Sequence, residues 1–216
     1  MNASPRIFVT QREIYITDTD EKRDSLDQHW ITFLLKCNLL PIVLPSEKSL
    51  VKQYIQLFPP DGILLTGGGD LCLFGNGNRE REEVEDYLLD WAREYSIPVI
   101  GVCRGMQLLQ TRDGMNLERV SNQITATQKI IVEGTFQTVN SYHVWGTKET
   151  SDNYYVWAKS EEGIVKGILH REKPIYGIMW HPERINPYRV EDQKLFECIF
   201  TKRMDHNRTT PTECLR

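Results

Sequence analysis

Short apolar runs alternate with amphipathic segments through the first half of the chain. Residues 7–10 form the first apolar run and predict a β-strand, whereas the apolar positions between 24 and 37 recur at helical spacing. Further strands are predicted at 39–44, 62–65 and 97–102, and further helices at 50–57, at 80–95 and from Met106 onward. Such alternation indicates a parallel sheet with helices on both faces, where ligands bind at the carboxyl ends of the strands.

The second half of the chain is richer in predicted strands. These lie at 129–132, 135–139, 154–158, 163–169 and 175–179, and a helix is predicted at 190–200. The predicted fold class is therefore α/β, with a three-layer, mostly parallel twisted sheet between helices and a small antiparallel β-rich part. No linker interrupts the pattern, so we expect a single domain over residues 1–201 and a polar, frayed tail over residues 202–216.

The composition is that of a soluble globular protein, since 40% of the 216 residues are hydrophobic and 26% are charged. A net charge of −4 argues against a general nucleic-acid binder. The five scattered cysteines favour neither a disulfide framework nor a metal cage, and they fit a reducing cytoplasm. The sequence has no signal-peptide pattern and no apolar run of membrane-spanning length, so we expect a cytoplasmic protein. The acid-rich run 79–85 is interpreted as a solvated helix face.

The segment 97–109 carries the most informative local pattern. An apolar run leads into Gly101, Cys103 and Gly105, and Met106 then opens a helical pattern. Strand, tight turn and helix, with one nucleophilic side chain between two glycines, are the layout of a nucleophile elbow. Unpaired N–H groups and the positive dipole end of the helix favour thiolate, the reactive form of Cys103. The alternative is a buried structural cysteine in an ordinary strand-to-helix connection.

Candidate partners for this thiol lie in segment 175–183. Its alternation predicts a strand, so His181 and Glu183 are expected on one face, and Pro182 is expected to end strand pairing there. A cysteine nucleophile requires a base to accept its proton, and the base requires a group that fixes its tautomer. Cys103, His181 and Glu183 fit these three roles.

A glycine-rich loop follows the predicted strand at 62–65. Gly67, Gly68 and Gly69 have no side chains, so backbone N–H groups in the loop can approach a ligand closely and stabilise an oxyanion. A phosphate-binding loop is a weaker alternative, because neither G-x-x-x-x-G-K-[ST] nor G-x-G-x-x-G is present. A plain flexible turn is the third interpretation.

Together these segments resemble the class I glutamine amidotransferase superfamily, which includes free-standing γ-glutamyl hydrolases. Four motifs carry the resemblance in the family's order: LLTGGGD at 64–70, GVCRGMQLL at 101–109, VNSYH at 139–143 and YGIMWHPER at 176–184. The resemblance runs from the first predicted strand to about residue 200. It implies the family's flavodoxin-like fold and an enzyme that hydrolyses γ-glutamyl amide bonds with no cofactor and no metal.

The family's functional residues are matched here position by position. The resemblance implies that Cys103 is the nucleophile, His181 the general base and acid, and Glu183 the orienting carboxylate. It assigns the oxyanion hole to the backbone N–H groups of Gly68 and Arg104. It also implies substrate contacts by Gly67, Gln107, Ser141, Tyr142 and His143.

The chain also departs from parts of the family pattern. Gly69 and Asp70 stand where many relatives carry proline, which is closer to the peptidase-like branch than to the synthetase-linked branch. The stretch 113–122 lacks the glycine-rich, histidine-containing sequence frequent in that branch, so the resemblance implies no substrate contact there.

Segments near the amino terminus and after residue 139 are similar to a branch associated with surface-polysaccharide biosynthesis. One activity in that branch is hydrolysis of γ-glutamyl-CDP-amidate to glutamate and cytidine diphosphoramidate, and this is our leading expectation for the substrate. Arg12, Arg23 and Arg104 are the candidate cations for its pyrophosphate. An ordinary surface or core salt bridge is the alternative for each.

The implied reaction is acyl transfer to Cys103, protonation of the departing nitrogen by His181, and hydrolysis of the thioester by water. Three alternatives stay open: a hydrolase of γ-glutamyl-GABA or another γ-glutamyl amine or peptide, a glutaminase subunit that supplies ammonia to a separate synthetase, and a non-catalytic binding or redox-sensing protein. The expected partner is a small-molecule γ-glutamyl substrate, nucleotide-linked in the leading case. Nucleic acid and membrane are not expected partners, and a homo-oligomer remains open.

Overall fold

The computed structural model describes residues 3–201, and the predicted tail 202–216 lies outside this range. Strands and helices alternate through the first half, and strands dominate the second half. The strands are β1 (Arg6–Val9), β2 (Arg12–Ile16), β3 (Glu21–Ser25), β4 (Leu40–Val43), β5 (Gly62–Leu65), β6 (Val99–Val102), β7 (Glu118–Arg119), β8 (Ile124–Val132), β9 (Thr135–Tyr142), β10 (Trp145–Gly146), β11 (Tyr154–Ser160), β12 (Val165–His170) and β13 (Ile175–Ile178). The α-helices are α1 (Gln28–Lys36), α2 (Lys48–Leu57), α3 (Arg79–Tyr95), α4 (Arg104–Arg112) and α5 (Val190–Thr201), with 3₁₀ turns at Cys72–Phe74 and Pro182–Arg184.

Nine strands form one sheet in the order β4-β1-β5-β6-β13-β12-β11-β8-β9. The five strands from β4 to β13 are parallel, and the remaining pairs are antiparallel. The predicted α/β fold class is therefore confirmed. The antiparallel part differs from expectation in one respect, because it continues the same sheet beyond β13.

Side chains of each central strand alternate between two apolar clusters on opposite faces of the sheet. Ile63 and Leu65 pack with α2, α3 and α4, whereas Leu64 between them packs with α1 and α5. Because both faces are covered, these strands are apolar at nearly every position, and short continuous apolar runs predict them. Because β5, β6 and β13 are neighbouring parallel strands, their carboxyl ends lie side by side at one edge of the sheet.

The hairpin of β2 and β3 was not predicted, and the helix expected over 24–37 begins only at Gln28. Neither hairpin strand has a buried residue, so burial imposes no clear period on their sequence. Asp24 lies in β3, where its carboxylate accepts hydrogen bonds from the backbone and hydroxyl of Ser46 (2.9 and 2.6 Å). Asp27 is the N-cap of α1 and accepts from the backbone N–H of His29.

The interpretation of run 79–85 as a solvated helix face was wrong. Within this first part of α3, Arg81, Glu82 and Glu85 are buried. Arg81 Nε donates to Glu85 Oε1 (2.8 Å), and Arg104 Nη1 donates to Glu85 Oε2 (2.5 Å). Arg81 and Glu85 share a face with the apolar residue Leu88, which places their charges between α3 and the sheet.

None of the helices within residues 3–201 combines the length and the apolar character that a bilayer crossing requires. The same residues contain no cluster of three or more histidine, cysteine, aspartate or glutamate side chains placed to hold a metal ion.

Candidate active site

Cys103 occupies the sharp turn between β6 and α4. Its backbone φ of 52° and ψ of −103° are unusual for a residue with a side chain, and its N–H donates to the Ile178 carbonyl (2.8 Å). A Cβ at Gly101 would lie 2.6 Å from the backbone of Gly105, and a Cβ at Gly105 would overlap the Leu65 carbonyl. Both glycines are therefore required by close backbone approach, as an elbow demands.

His181 and Glu183 follow β13 but lie outside it, because the strand ends at Ile178. The strand predicted at 175–179 ends one residue earlier, and the 3₁₀ turn Pro182–Arg184 just beyond it brings the pair together. His181 Nδ1 lies 2.8 Å from Glu183 Oε1. A carboxylate only accepts, so Nδ1 carries the hydrogen of this contact, and Nε2 is the ring nitrogen left for Cys103.

The surroundings of His181 favour its charged form, the imidazolium. Burial disfavours the charged form of His181, but its hydrogen-bonded neighbours Cys103 and Glu183 outweigh burial and raise the pKa of His181 to about 9. Both His181 and Glu183 are almost completely buried. Little water competes for these contacts, which strengthens them.

Asn140 fixes the backbone of His181, and sequence analysis did not single it out as a site residue. Its side-chain amide donates to the His181 carbonyl (2.8 Å) and accepts from the His181 N–H (2.7 Å). This two-point contact joins the end of β9 to the turn after β13.

The glycine-rich loop after β5 lies opposite the elbow and is shaped by a buried arginine. Gly68 and Gly69 have φ values of +86° and +75°, which side chains rarely permit. Arg81 donates to the carbonyls of Thr66 (2.6 Å) and Gly68 (2.8 Å). With its carbonyls bound from behind, the loop can turn N–H groups toward the Cys103 side, and Arg104 contributes another N–H at the start of α4, where helices leave such donors unpaired.

Two cavities flank the Cys103–His181 pair. One of about 210 Å³ is bounded by Cys103, His181 and the segment 142–145. The other, of about 280 Å³, lies on the Glu183 side. Arg12 and Arg184 line both cavities.

The structure divides the residues predicted to contact substrate. Gln107, Tyr142 and His143 line the cavity beside Cys103, where the Gln107 amide donates to the Trp145 carbonyl (3.0 Å). Gly67 lines the second cavity, next to the His181 ring. Ser141 is fully buried and lines neither cavity, since its hydroxyl donates to the Gln123 carbonyl (2.7 Å).

The three arginines predicted as cations for a pyrophosphate lie in different surroundings. The prediction that Arg104 binds a pyrophosphate was wrong, because its side chain is buried and forms ion pairs with Glu82 and Glu85. Arg23 pairs with Glu21 on the exposed hairpin and lines neither cavity. Arg12 lies against Gly68 and, within residues 3–201, has no carboxylate in ion-pair range.

Lys166 on β12 is the second site residue that sequence analysis missed. It is 1% exposed, and its Nζ lies 2.7 Å from His143 Nε2 and 3.0 Å from Ser141 Oγ. Because β12 runs antiparallel to β13, Lys166 near its start reaches the edge of the sheet where Cys103 lies. A single charge inside the apolar run 164–169 was the available signal.

The sequence is similar to known glutamine amidotransferases. A family model described as glutamine amidotransferase class-I matches residues 21–201. The gamma-glutamyl-CDP-amidate hydrolase of Campylobacter jejuni is 26% identical over 187 residues, which cover 83% of this chain and 90% of that protein. One subunit of the glutamine-hydrolysing GMP synthase of Methanosarcina mazei is 25% identical over 154 residues (67% of this chain, 72% of that protein).

A solved structure shares the fold at low sequence identity. A putative GMP synthase subunit from Thermoplasma acidophilum aligns with a TM-score of 0.70 over 93% of this chain and 94% of that chain, at 17% identity. The family model spans the glycine-rich loop, the elbow and the turn that carries His181. This chain therefore belongs to the class-I glutamine amidotransferase family.

Proposed function

We propose that this protein is a cysteine hydrolase that cleaves a γ-glutamyl amide bond through a thioester on Cys103. The observation that carries the proposal is a cavity lined by both Cys103 and His181, with His181 Nδ1 held 2.8 Å from Glu183 Oε1. A thiolate, an imidazole and an orienting carboxylate are the groups that nucleophilic acyl transfer requires. The N–H groups of Gly68 and Arg104 stabilise the oxyanion in this proposal.

The reaction proceeds in two halves. Cys103 Sγ bonds to the γ-carbonyl carbon, the C–N bond breaks with its electron pair going to nitrogen, and His181 Nε2 protonates that nitrogen. Neutral His181 then accepts a proton from water, whose oxygen attacks the thioester carbon. Glutamate leaves, and the Cys103 thiolate and the protonated imidazole are restored. Glu183 holds Nδ1–H in both halves and keeps Nε2 directed at the reacting atoms.

The charge around the site favours an anionic leaving group. Arg12 lies beside the oxyanion loop and has no carboxylate partner within residues 3–201. Arg184 is partly neutralised by Asp27 and Glu183, and it faces the Tyr142 ring (5.6 Å). A guanidinium fork matches phosphate oxygens, so we propose that a diphosphate attached to the departing nitrogen binds between Arg12 and Arg184.

The relative from Campylobacter jejuni supports the same choice, since its name specifies γ-glutamyl-CDP-amidate. We therefore propose γ-glutamyl-CDP-amidate as the substrate, with glutamate and cytidine diphosphoramidate as products. Similarity to GMP synthase subunits supports a second candidate, glutamine hydrolysis that supplies ammonia to a separate synthetase.

Turnover of a substrate panel with one charge variant tests the proposal. The panel contains γ-glutamyl-CDP-amidate, γ-glutamyl-GABA, a γ-glutamyl anilide and glutamine, with kcat/KM measured for each by glutamate release. We expect the highest value for the nucleotide amidate. Arg12→Met is expected to lower that value about 10- to 100-fold, as for loss of a charge-assisted hydrogen bond, and to lower the value for the uncharged anilide by a smaller factor.

Arg23→Met is the matched control, because Arg23 lies on the same hairpin, is exposed and lines neither cavity. It is expected to leave every value in the panel unchanged. Equal losses on all substrates in Arg12→Met would refute the diphosphate assignment. Glutamine turnover that rises only when a synthetase is added, with the nucleotide amidate inert, would instead establish the ammonia-supplying function.

A further inference from the structure

Lys166 is a buried amine without an acidic partner. Its side chain is almost completely enclosed on β12, and within residues 3–201 no carboxylate oxygen lies within ion-pair distance of its Nζ. Burying a charge without a partner is costly. The neighbours of Lys166 therefore require an explanation beyond core packing.

The hydrogen bonds around Lys166 have one consistent assignment. A backbone carbonyl only accepts, so His143 Nδ1 donates to Trp145 O (2.9 Å), and His143 Nε2 is left to accept from Lys166 (2.7 Å). Ser141 donates to the Gln123 carbonyl, and its oxygen therefore accepts from Lys166 (3.0 Å). Two donors satisfy both bonds, and a neutral amine already has two. The third proton, and with it the positive charge, has no role in these contacts.

Backbone hydrogen bonds place Lys166 beside the elbow: its carbonyl accepts from the Met179 N–H (2.9 Å), and the carbonyl of the preceding Ile178 accepts from the Cys103 N–H (2.8 Å). Burial lowers the pKa of Lys166 to about 7. The negative charges of a Cys103 thiolate and of Glu162, which is exposed on the turn before β12, oppose this effect and raise the pKa. His143 does not compete for this role, because burial and the neighbouring Lys166 lower its pKa to about 3. His181 is the other cation at the elbow, since its pKa is raised to about 9.

We propose that Lys166 is a positioning residue with two tasks: it fixes His143 as the Nδ1–H tautomer at the cavity wall, and it holds a positive charge opposite the Cys103 thiolate. The proposal extends the function proposed above, since it gives the nucleophile a second cationic neighbour besides His181. His143 in turn keeps both ring nitrogens occupied, so it presents a neutral, fixed ring to substrate.

The charge is tested without any substrate, by alkylation. Iodoacetamide reacts with thiolate, and the tryptic peptide 94–104 contains Cys103 as its single cysteine, so its rate of modification is followed by mass spectrometry at a series of pH values. We expect the midpoint pH of Cys103 alkylation to rise by about 1 unit in Lys166→Met and in Lys166→Gln. Lys159→Met, on the neighbouring strand with an exposed side chain, is expected to leave the midpoint unchanged.

The two neutral variants separate charge from hydrogen bonding. Gln can still donate to His143 or Ser141 and Met cannot, so KM for the γ-glutamyl substrate is expected to rise more in Lys166→Met. An unchanged alkylation midpoint in both variants would overturn the proposal, and thermal unfolding checks that each is folded. Lys166→Arg, which keeps the charge, is expected to keep the wild-type midpoint. A shifted midpoint in a protein that forms no thioester would retain this inference and refute the proposed function.

Discussion

Cys103→Ala is expected to lower kcat for the γ-glutamyl substrate by at least about 10⁴-fold, because no other group in the cavity can form the thioester. Intact-mass measurement after rapid acid quench is expected to detect a glutamyl adduct on the wild-type protein and none on Cys103→Ala. Cys72→Ala is the control, since Cys72 is an exposed free thiol in the 3₁₀ turn after the glycine-rich loop. It is expected to retain both turnover and adduct.

The same variant has a second expected effect that needs no turnover. Removing the thiolate leaves burial opposed by Glu183, so the pKa of His181 is expected to fall below its wild-type value of about 9. An NMR titration of the imidazole measures this change. In the wild-type protein the pKa of His181 is raised above its ordinary value of 6.5. The contacts of the charged imidazole therefore stabilise the folded state below pH 6.5, and this contribution is lost as the pH rises through about 9.

Two results would contradict this account of Cys103. Turnover in Cys103→Ala close to that of wild type would exclude Cys103 as the nucleophile and favour the non-catalytic alternative. An unchanged His181 titration would show that the two side chains do not interact as a charged pair.

Local patterns were sufficient to predict the elbow and the sheet that holds it. Ile63 and Leu65 pack on one face and Leu64 on the other, so both faces of β5 are buried and the segment is apolar at every position. Cys103 between Gly101 and Gly105 is equally local, because each glycine is explained by a backbone within a few ångströms. Features that depend on a short apolar run or on a tight turn can therefore be predicted from the sequence.

The groups behind the site depend on distant contacts and did not follow from the sequence. Glu85 looked solvated because it lies in a charged run, yet its partner Arg104 is 19 residues away and reaches it only when α3 and α4 dock on the sheet. Lys166 is close to Cys103 only through the order β6-β13-β12. The burial of a charged side chain can therefore be judged only once the topology is known. The helical spacing of Arg81 and Glu85 with Leu88 was nevertheless a signal in the sequence that they share the buried face of α3.

Glu85→Ala is expected to lower the free energy of unfolding by about 3–5 kcal/mol, because it leaves Arg81 and Arg104 buried without their shared carboxylate. Burial alone would raise the pKa of Glu85, but Arg104 and Arg81 hold it below its usual value, so the group is ionised in the folded protein. Its contribution is therefore present above the ordinary glutamate pKa and is lost as the pH falls. Urea unfolding at neutral and acidic pH measures both effects.

Glu83→Ala supplies the matched control, since Glu83 is two residues away on α3 and pairs with Arg79 at the exposed surface. Its loss is expected to cost at most about 0.5 kcal/mol. The two variants should also differ in turnover, because Arg81 binds the carbonyls of Thr66 and Gly68 and so shapes the proposed oxyanion loop. Equal stability and equal kcat in the two variants would mean that the buried charges relax into water, and that the loop keeps its shape without them.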